Sequence, residues 1–352
     1  MYYKSDFDEY QRLGEPEKTE KSQIWQTAIG LQQVDGLSPS AYLIKIAKQN
    51  IEGKITIYEV QERLNSYYMT KPAQTASDRT EEADKVSARI TEILSEKTFS
   101  FSPVEYITIN KRLFMGIYKF AGRIRDYNIS KSEWVLGGET VYYASANIIR
   151  AALDYDFEQE NTFRYKGLTI EQIIEHLSKF VSGIWQIHAF GEGNTRATAV
   201  FTIKYLRTLG FSVANDMFSS HSWYFRNALV RANYTDYNKN IFSTYEYLNR
   251  FFGNLLLYQS NSLKNRELLI TCENEIDVPV NVPVNAPVNV PAKRKSEILK
   301  MLLNNANLTA EELAATFAVS VKTIKRDFAA LKNQGMVKRI GSDKTGHWEV
   351  ID

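Results

Sequence analysis

The chain has 352 residues, 44% of them apolar and 24% charged, with a net charge of +2. Those proportions belong to a folded protein with room for two or three domains and exclude a disordered or polyelectrolyte chain, so any nucleic-acid binding must come from one local segment. The single cysteine, Cys272, excludes an internal disulfide and fits a reducing compartment. With no apolar run approaching a membrane span and no basic-then-apolar start, the expected location is the cytoplasm, without contact to a membrane.

Residues 1–75 read as an N-terminal helical region. Ser38-Pro39 predicts an N-cap followed by proline at the first helical position, with a helix running to about Ile51 and Gly53 as its terminator. Thr56 and Glu59 form a capping-box pattern for the next helix. The charged stretch 76–98 reads as a solvated helix or connector. Residues 76–260 form a second, larger region. Helices are predicted over 103–121, over 168–187 with Thr169 as cap, from Asn194 to just before Gly210, and over 222–233. Residues 127–145 differ. Tyr127, Ile129, Trp134, Val135, Val141, Tyr142 and Tyr143 flank Gly137-Gly138, which predicts a β-hairpin. Residues 261–292 read as a linker, because proline recurs at Pro279, Pro283, Pro287 and Pro291 in a Val-Pro-Val-Asn repeat. Residues 293–352 form a last small domain.

The segment His188-Ala-Phe-Gly-Glu-Gly-Asn-Thr-Arg196 lies between two predicted helices. Gly191 and Gly193 permit tight backbone geometry near a ligand. The following helix offers unpaired amides for a phosphate. Arg196 sits in its first turn, where a cation opposes the macrodipole unless an anion is bound. Glu192 is a hard oxygen ligand suited to Mg²⁺. His188 is the one side chain of the loop that titrates near neutral pH, which makes it the candidate general base.

This segment resembles the Fic signature His-Pro-Phe-x-[Asp/Glu]-Gly-Asn-Gly-Arg-x-x-Arg. Leu113–Arg125 resembles the family's helix before its flap, and Tyr224-Phe225-Arg226-Asn227-Ala228-Leu229 resembles the helix that closes the nucleotide pocket. The resemblance implies a mainly α fold, a Fic helical bundle with a β-hairpin flap. It also implies a Mg²⁺-dependent protein adenylyltransferase that moves AMP from ATP to a Ser, Thr or Tyr hydroxyl of a target protein. His188 would be the base and Glu192 the metal ligand. Gly193, Asn194, Thr195 and Arg196 would hold phosphate, with Tyr224 and Asn227 at the adenine or ribose. Trp134, Val135, Val141 and Tyr142 would clamp the target by strand pairing. Three positions depart from the pattern: Ala189, Thr195, and Ala199 in place of the second arginine. Arg226 or Arg231 could substitute for that arginine.

Residues 47–53, Ala-Lys-Gln-Asn-Ile-Glu-Gly, resemble the inhibitory motif of many Fic proteins, and the surrounding stretch resembles VbhA-type antitoxin segments. The resemblance implies a toxin–antitoxin arrangement in which Glu52 restrains the enzyme. With the second arginine absent, Glu52 would pair with Arg196 or inhibit weakly.

The tail reads as a small α+β winged helix-turn-helix domain. It has helices over Lys295–Leu303 and from Thr309 with Glu312 as a capping box. A turn follows at Ala318-Val319-Ser320, and Val321, Ile324, Phe328 and Leu331 mark the buried stripe of a third helix ended by Gly335. Val337–Ile340 and His347–Ile351 flank Gly341–Gly346 as a wing. The tail holds 11 Lys and Arg against seven Asp and Glu. Lys322, Lys325 and Arg326 on the third helix suit DNA contact. A second reading therefore stands beside the enzyme: a nucleotide-sensing, DNA-binding regulator. A third is a Fic enzyme that transfers another phosphate-linked group. Homo-oligomerisation is left open.

Overall fold

The computed structural model describes residues 7–70, 79–213 and 217–270. In the C-terminal region it describes 294, 298–299, 301–302, 305–306, 308–317, 319–333, 337–340 and 347–350. The chain divides into two compact units, Met1–Glu273 and Asn274–Asp352.

The first unit is helical. Its N-terminal part holds α1 (Asp8–Leu13), α2 (Pro16–Gly30), a 3₁₀ turn at Leu31–Asp35, α3 (Ala41–Ile51) and α4 (Ile57–Met69). The cap of α3 is Ser40 rather than the expected Ser38: its hydroxyl accepts from Leu43 N at 3.0 Å, and both its N–H and its hydroxyl donate to Asp84. The Thr56–Glu59 capping box of α4 is present.

Helix α5 (Thr80–Ser95) corrects the reading of 76–98 as solvated. It is largely buried, with Ala88 in the small core around Trp25, Leu43, Ile46 and Leu64, and Val86, Ile90 and Ile93 in the main core. Its acidic side chains can be buried because each is paired. Asp84 accepts from Ser40 and from Tyr68 Oη at 2.6 Å, and Glu82 accepts from Arg79 and Arg196.

The main body continues with α6 (Pro103–Phe114), α7 (Ile149–Thr162), α8 (Ile170–Ile187), α9 (Asn194–Thr208), α10 (Met217–Ser220), α11 (Ser222–Ala232) and α12 (Glu246–Leu257). Helix α6 is shorter than the predicted 103–121, because Ile117 N and Tyr118 N both turn back onto Phe114 O. Thr169 caps α8 as expected, with Gln172 completing the box. At their C-terminal ends α9 and α5 are fastened together. Lys204 Nζ donates to Ile93 O at 3.1 Å and to Glu96 O, and Arg207 Nη1 donates to Leu94 O at 2.6 Å. Cations at the carbonyl end of a helix are favourably placed.

The predicted hairpin at 127–145 is a flap without strands. Its tip is a 3₁₀ turn at Trp134–Leu136, closed by Glu133 N to Glu139 O at 2.8 Å and Gly138 N to Glu133 O at 3.0 Å. Side chains replace the ladder elsewhere: Thr140 Oγ1 accepts from Lys131 N, and Ser132 Oγ donates to Gly138 O. Val135 and Val141 are buried and anchor the flap in the core.

The second unit contains α13 (Ala310–Phe317), α14 (Val321–Asn333), β1 (Val337–Ile340) and β2 (His347–Val350). The strands are antiparallel, with Val337 opposite Val350 and Ile340 opposite His347. Ile298, Leu302, Leu313, Ile324, Phe328 and Leu331 form its core, and Trp348 stacks on Phe328 at 4.2 Å. The Thr309–Glu312 box is present, and a buried Arg294–Asp327 pair at 2.5 Å ties in α14. Of the expected first helix, Ile298, Leu299, Met301 and Leu302 are helical, while Lys295, Lys300 and Leu303 lie outside the described residues. The proline repeat, Ala318, Gly335, Gly341–Gly346 and Ile351 also lie outside them. Among the described residues no helix is long and apolar enough to cross a membrane.

Candidate active site

The loop between α8 and α9 is shaped by the ends of both helices. Leu177, Val181, Ile184 and Trp185 drive α8 into the core, and the helix ends where His188 takes left-handed backbone, φ 50° and ψ 56°. A branched or bulky side chain in that region is strained unless its surroundings hold it. Arg125 does so. Its Nε donates to His188 O at 2.7 Å, Nη1 to Tyr127 O at 2.6 Å, and Nη2 to Ile187 O and Ala144 O. Arg125 N donates to Ala189 O. One guanidinium thus staples both ends of the flap to the loop that begins at His188.

Asn194 closes the loop from the other side. Its Oδ1 accepts from Phe190 N at 3.0 Å and its Nδ2 donates to Phe190 O at 2.7 Å. Gly193 begins α9 with φ 76°, and a Cβ there would lie 2.1 Å from the Phe114 ring, so a larger residue has no room. No side-chain cap occupies the first-turn amides of α9. Thr195, where the family pattern has glycine, accepts from Trp185 Nε1 at 3.0 Å and ties α9 to α8.

Among the described residues neither ring nitrogen of His188 has a hydrogen-bond partner, and the side chain is nearly fully buried. Tyr143 lies 4.2 Å from the imidazole, centre to centre, and Trp185 5.5 Å. Burial pushes the imidazole pKa well below its ordinary value, and Lys131, Arg125 and Arg226 push it further down. His188 is therefore neutral near pH 7, the form in which one ring nitrogen carries a free lone pair.

Glu192 Oε1 accepts from Gly193 N at 2.9 Å, which leaves Oε2 without a hydrogen-bond partner among the described residues. Those residues contain no cluster of three or more His, Cys, Asp or Glu that could hold a metal. A single carboxylate fits Mg²⁺, which takes most of its ligands from phosphate and water.

Arg196 is fully buried. Its Nη2 pairs with Glu82 at 2.6 Å and Asp35 at 2.8 Å, its Nη1 donates to Gln32 at 3.0 Å, and Phe114 stacks beneath it at 4.7 Å. Burial acts to lower its pKa, but Asp35 and Glu82 outweigh it, so the charge is held. Glu52 does not take part. It accepts from Tyr10 Oη at 2.9 Å and pairs with Lys54 at 2.5 Å on a partly exposed surface. The carboxylates that meet the loop arginine come from Asp35 and Glu82 instead.

Tyr224 and Asn227 are buried on α11: Asn227 donates to Asn265 at 2.7 Å, and Arg250 and Glu267 act on the Tyr224 hydroxyl. The residue of α11 that faces the flap is Arg226, paired with Glu133 at 2.8 Å. In the flap, Trp134 and Tyr142 are exposed as a docking edge requires, but Val135 and Val141 are buried. Arg125, Glu133 and Tyr143 were not singled out for a role from the sequence, and no spacing marks them. In the second unit, Lys322, Lys325 and Arg326 are exposed on α14.

Residues 100–206 match the Fic/DOC family, and residues 294–341 match the DeoR-like helix-turn-helix domain. No curated protein matches the chain. Among solved structures, a Fic family protein from Desulfovibrio desulfuricans G20 is 11% identical, with 99% of this chain and 97% of that one covered and a TM-score of 0.42. The BepC protein of Bartonella tribocorum, solved with bound AMPPNP, is 18% identical over 56% of this chain and 86% of its own, with a TM-score of 0.38. The chain thus carries a segment that matches the Fic/DOC family, followed by one that matches the DeoR-like helix-turn-helix domain.

Proposed function

We propose that the first unit is a protein adenylyltransferase that moves AMP from ATP to a Ser, Thr or Tyr hydroxyl of a target protein. The observation that carries this reading is a neutral His188, its ring nitrogens unpartnered among the described residues, beside the uncapped N-terminus of α9. His188 accepts the proton of the target hydroxyl as its oxygen bonds to the α-phosphorus. The bond from that phosphorus to the bridging oxygen breaks, and pyrophosphate leaves. Such a base contributes about 10²–10⁴-fold. The amides at Asn194 and Thr195 cradle phosphate oxygens, joined by Gly193 N when Glu192 gives it up, and positioning with charge neutralisation does most of the work. Glu192 would hold Mg²⁺, which neutralises phosphate charge when bound. Asn194 contributes by fixing the loop through Phe190.

In this reading restraint lies with Asp35 and Glu82, not Glu52. Both carboxylates occupy the guanidinium that a phosphate would take, so ATP must compete with them. The test is labelling with α-³²P-ATP, Mg²⁺ and cell lysate for the parent, Asp35→Asn and His188→Ala. Label that rises in Asp35→Asn and vanishes in His188→Ala is expected. Folded, nucleotide-binding protein that labels nothing in any form would overturn AMP transfer and favour a sensor or another donor.

We propose in addition that the second unit binds DNA. Support comes from α14, which presents Lys322, Lys325 and Arg326 while Ile324, Phe328 and Leu331 bury its other face. Each phosphate contact lowers the salt slope of binding by about 0.9. Loss of Lys325 and Arg326 together should therefore flatten that slope in an anisotropy titration, and an unchanged slope would remove α14 from the interface.

A further inference from the structure

His188 is buried, yet the proposed reaction needs it to meet a hydroxyl from another protein. Tyr143 of the flap lies against its ring at 4.2 Å, while Trp185 of α8 meets it edge-on at 5.5 Å. The Tyr143 hydroxyl donates to Glu133 Oε1 at 3.1 Å, and Glu133 Oε2 pairs with Arg226 Nη1 of α11 at 2.8 Å. The Glu133 side chain is only 1% exposed. A carboxylate is held out of water only where partners compensate it. Here one partner is the tyrosine against the imidazole, and the other is a cation on a helix outside the flap.

The other ties of the flap are of a different kind. Arg125 fixes its two ends, at Tyr127 O and Ala144 O, and Val135 and Val141 seat the span between them in the core. Gln186 reaches Tyr142 O at 3.1 Å and Lys239 reaches Glu139 at 3.3 Å, both at exposed positions where water competes. Ile270 N donates to Val135 O at 2.9 Å, at the tip. Glu133–Arg226 is the tie whose carboxylate is buried, a close ion contact at 2.8 Å without hydrogen-bond alignment, and it lies one hydrogen bond from Tyr143 beside His188.

We infer that Glu133 is a positioning residue that latches the flap: while it holds Arg226 and Tyr143 together, His188 is covered, and parting it from Arg226 uncovers the imidazole for a target hydroxyl. The inference rests on the proposed role of His188 but concerns access alone. Val135 and Val141 stay seated in the core, so the opening is a parting of the Glu133 and Tyr143 side chains about those anchors.

The test is the rate at which diethyl pyrocarbonate modifies His188 in the full-length protein at pH 7, read by peptide mass spectrometry. It uses neither nucleotide nor target, so its result is separate from the success or failure of AMP transfer. In the parent, His188 should react far more slowly than N-acetylhistidine. Arg226→Gln and Glu133→Gln should each speed it by about tenfold or more, because opening no longer breaks an ion pair whose carboxylate is buried. His176, paired with Glu160 on another face, should keep its parental rate. Parental His188 reacting at the reference rate would overturn the latch. So would a folded Arg226→Gln protein whose His188 stays as slow as the parent's. Should Glu133→Gln fail to fold, Arg226→Gln, at a position with 16% side-chain exposure, carries the test alone.

Discussion

Two acid–glycine pairs close helical turns in the N-terminal part of the first unit. Glu52-Gly53 closes α3 and Asp35-Gly36 closes the 3₁₀ turn Leu31–Asp35, and both glycines take left-handed backbone, φ 74° and 68°. Locally they are the same device. Their surroundings differ. The turn at Leu31–Asp35 packs against α5, α9 and α11, with Gln32 buried and bonded to Arg196. Helix α3 packs into the smaller core with α2 and α4, and its closing carboxylate faces Tyr10 and Lys54. A charged residue at a helix end carries no information about its partner; the packing of the element that bears it decides whether the charge is structural, functional or idle.

The contrast can be broken at several points. Arg196→Ala would leave Glu82 and Asp35 around an empty space in the interior, and removal of one partner from a buried ion pair costs about 3–5 kcal/mol. Urea unfolding measures it, and a loss near zero would mean that the cluster is wetter than its burial implies. Asp35→Asn should tighten binding of Mg²⁺-ATP by about three- to tenfold, or about 1 kcal/mol, since Asp35 is a partly exposed competitor for the guanidinium. Titration calorimetry reads that shift, and the same gain from Glu52→Gln would erase the distinction.

Acid stability separates the two sites further. Burial pushes the Glu82 carboxyl up, but Arg79 and Arg196 outweigh it and hold its pKa below the usual 4.5. A carboxyl lowered on folding contributes stability that is present at neutral pH and lost as pH falls below the unfolded value and through the folded one. Glu82→Gln should therefore flatten the loss of stability below about pH 4.5. Glu52 is also lowered, by Lys54 and then Tyr10, but near the surface, where water screens both. Glu52→Gln should leave the acid limb nearly parental and change stability by no more than about 0.5 kcal/mol.

What could be read from the sequence follows the same division. Thr56 with Glu59, Thr169 at α8, and Thr309 with Glu312 were legible because cap and partner are three residues apart. The loop from His188 to Arg196 was legible because its parts are consecutive. Helix α5 was not, since the groups that neutralise Glu82 and Asp84 lie as far away as Arg196 and Ser40. On α11 the helix was readable and its facing was not: Asn227 meets Asn265, and Arg226 pairs with Glu133 of the flap. The flap failed as a hairpin because Ser132 and Thr140 satisfy with side chains what a ladder would satisfy with backbone.

Helices α5 and α9 are bolted together at both ends, by Arg196 and Glu82 at one and by Lys204 and Arg207 on the carbonyls of Ile93, Leu94 and Glu96 at the other. Rods fixed at two points cannot slide past one another. In the proposed reaction, a phosphate that takes Arg196 from Glu82 would draw the first bolt and leave the second as a pivot, which favours a swing of α5 about residues 204–207 over a shift of register.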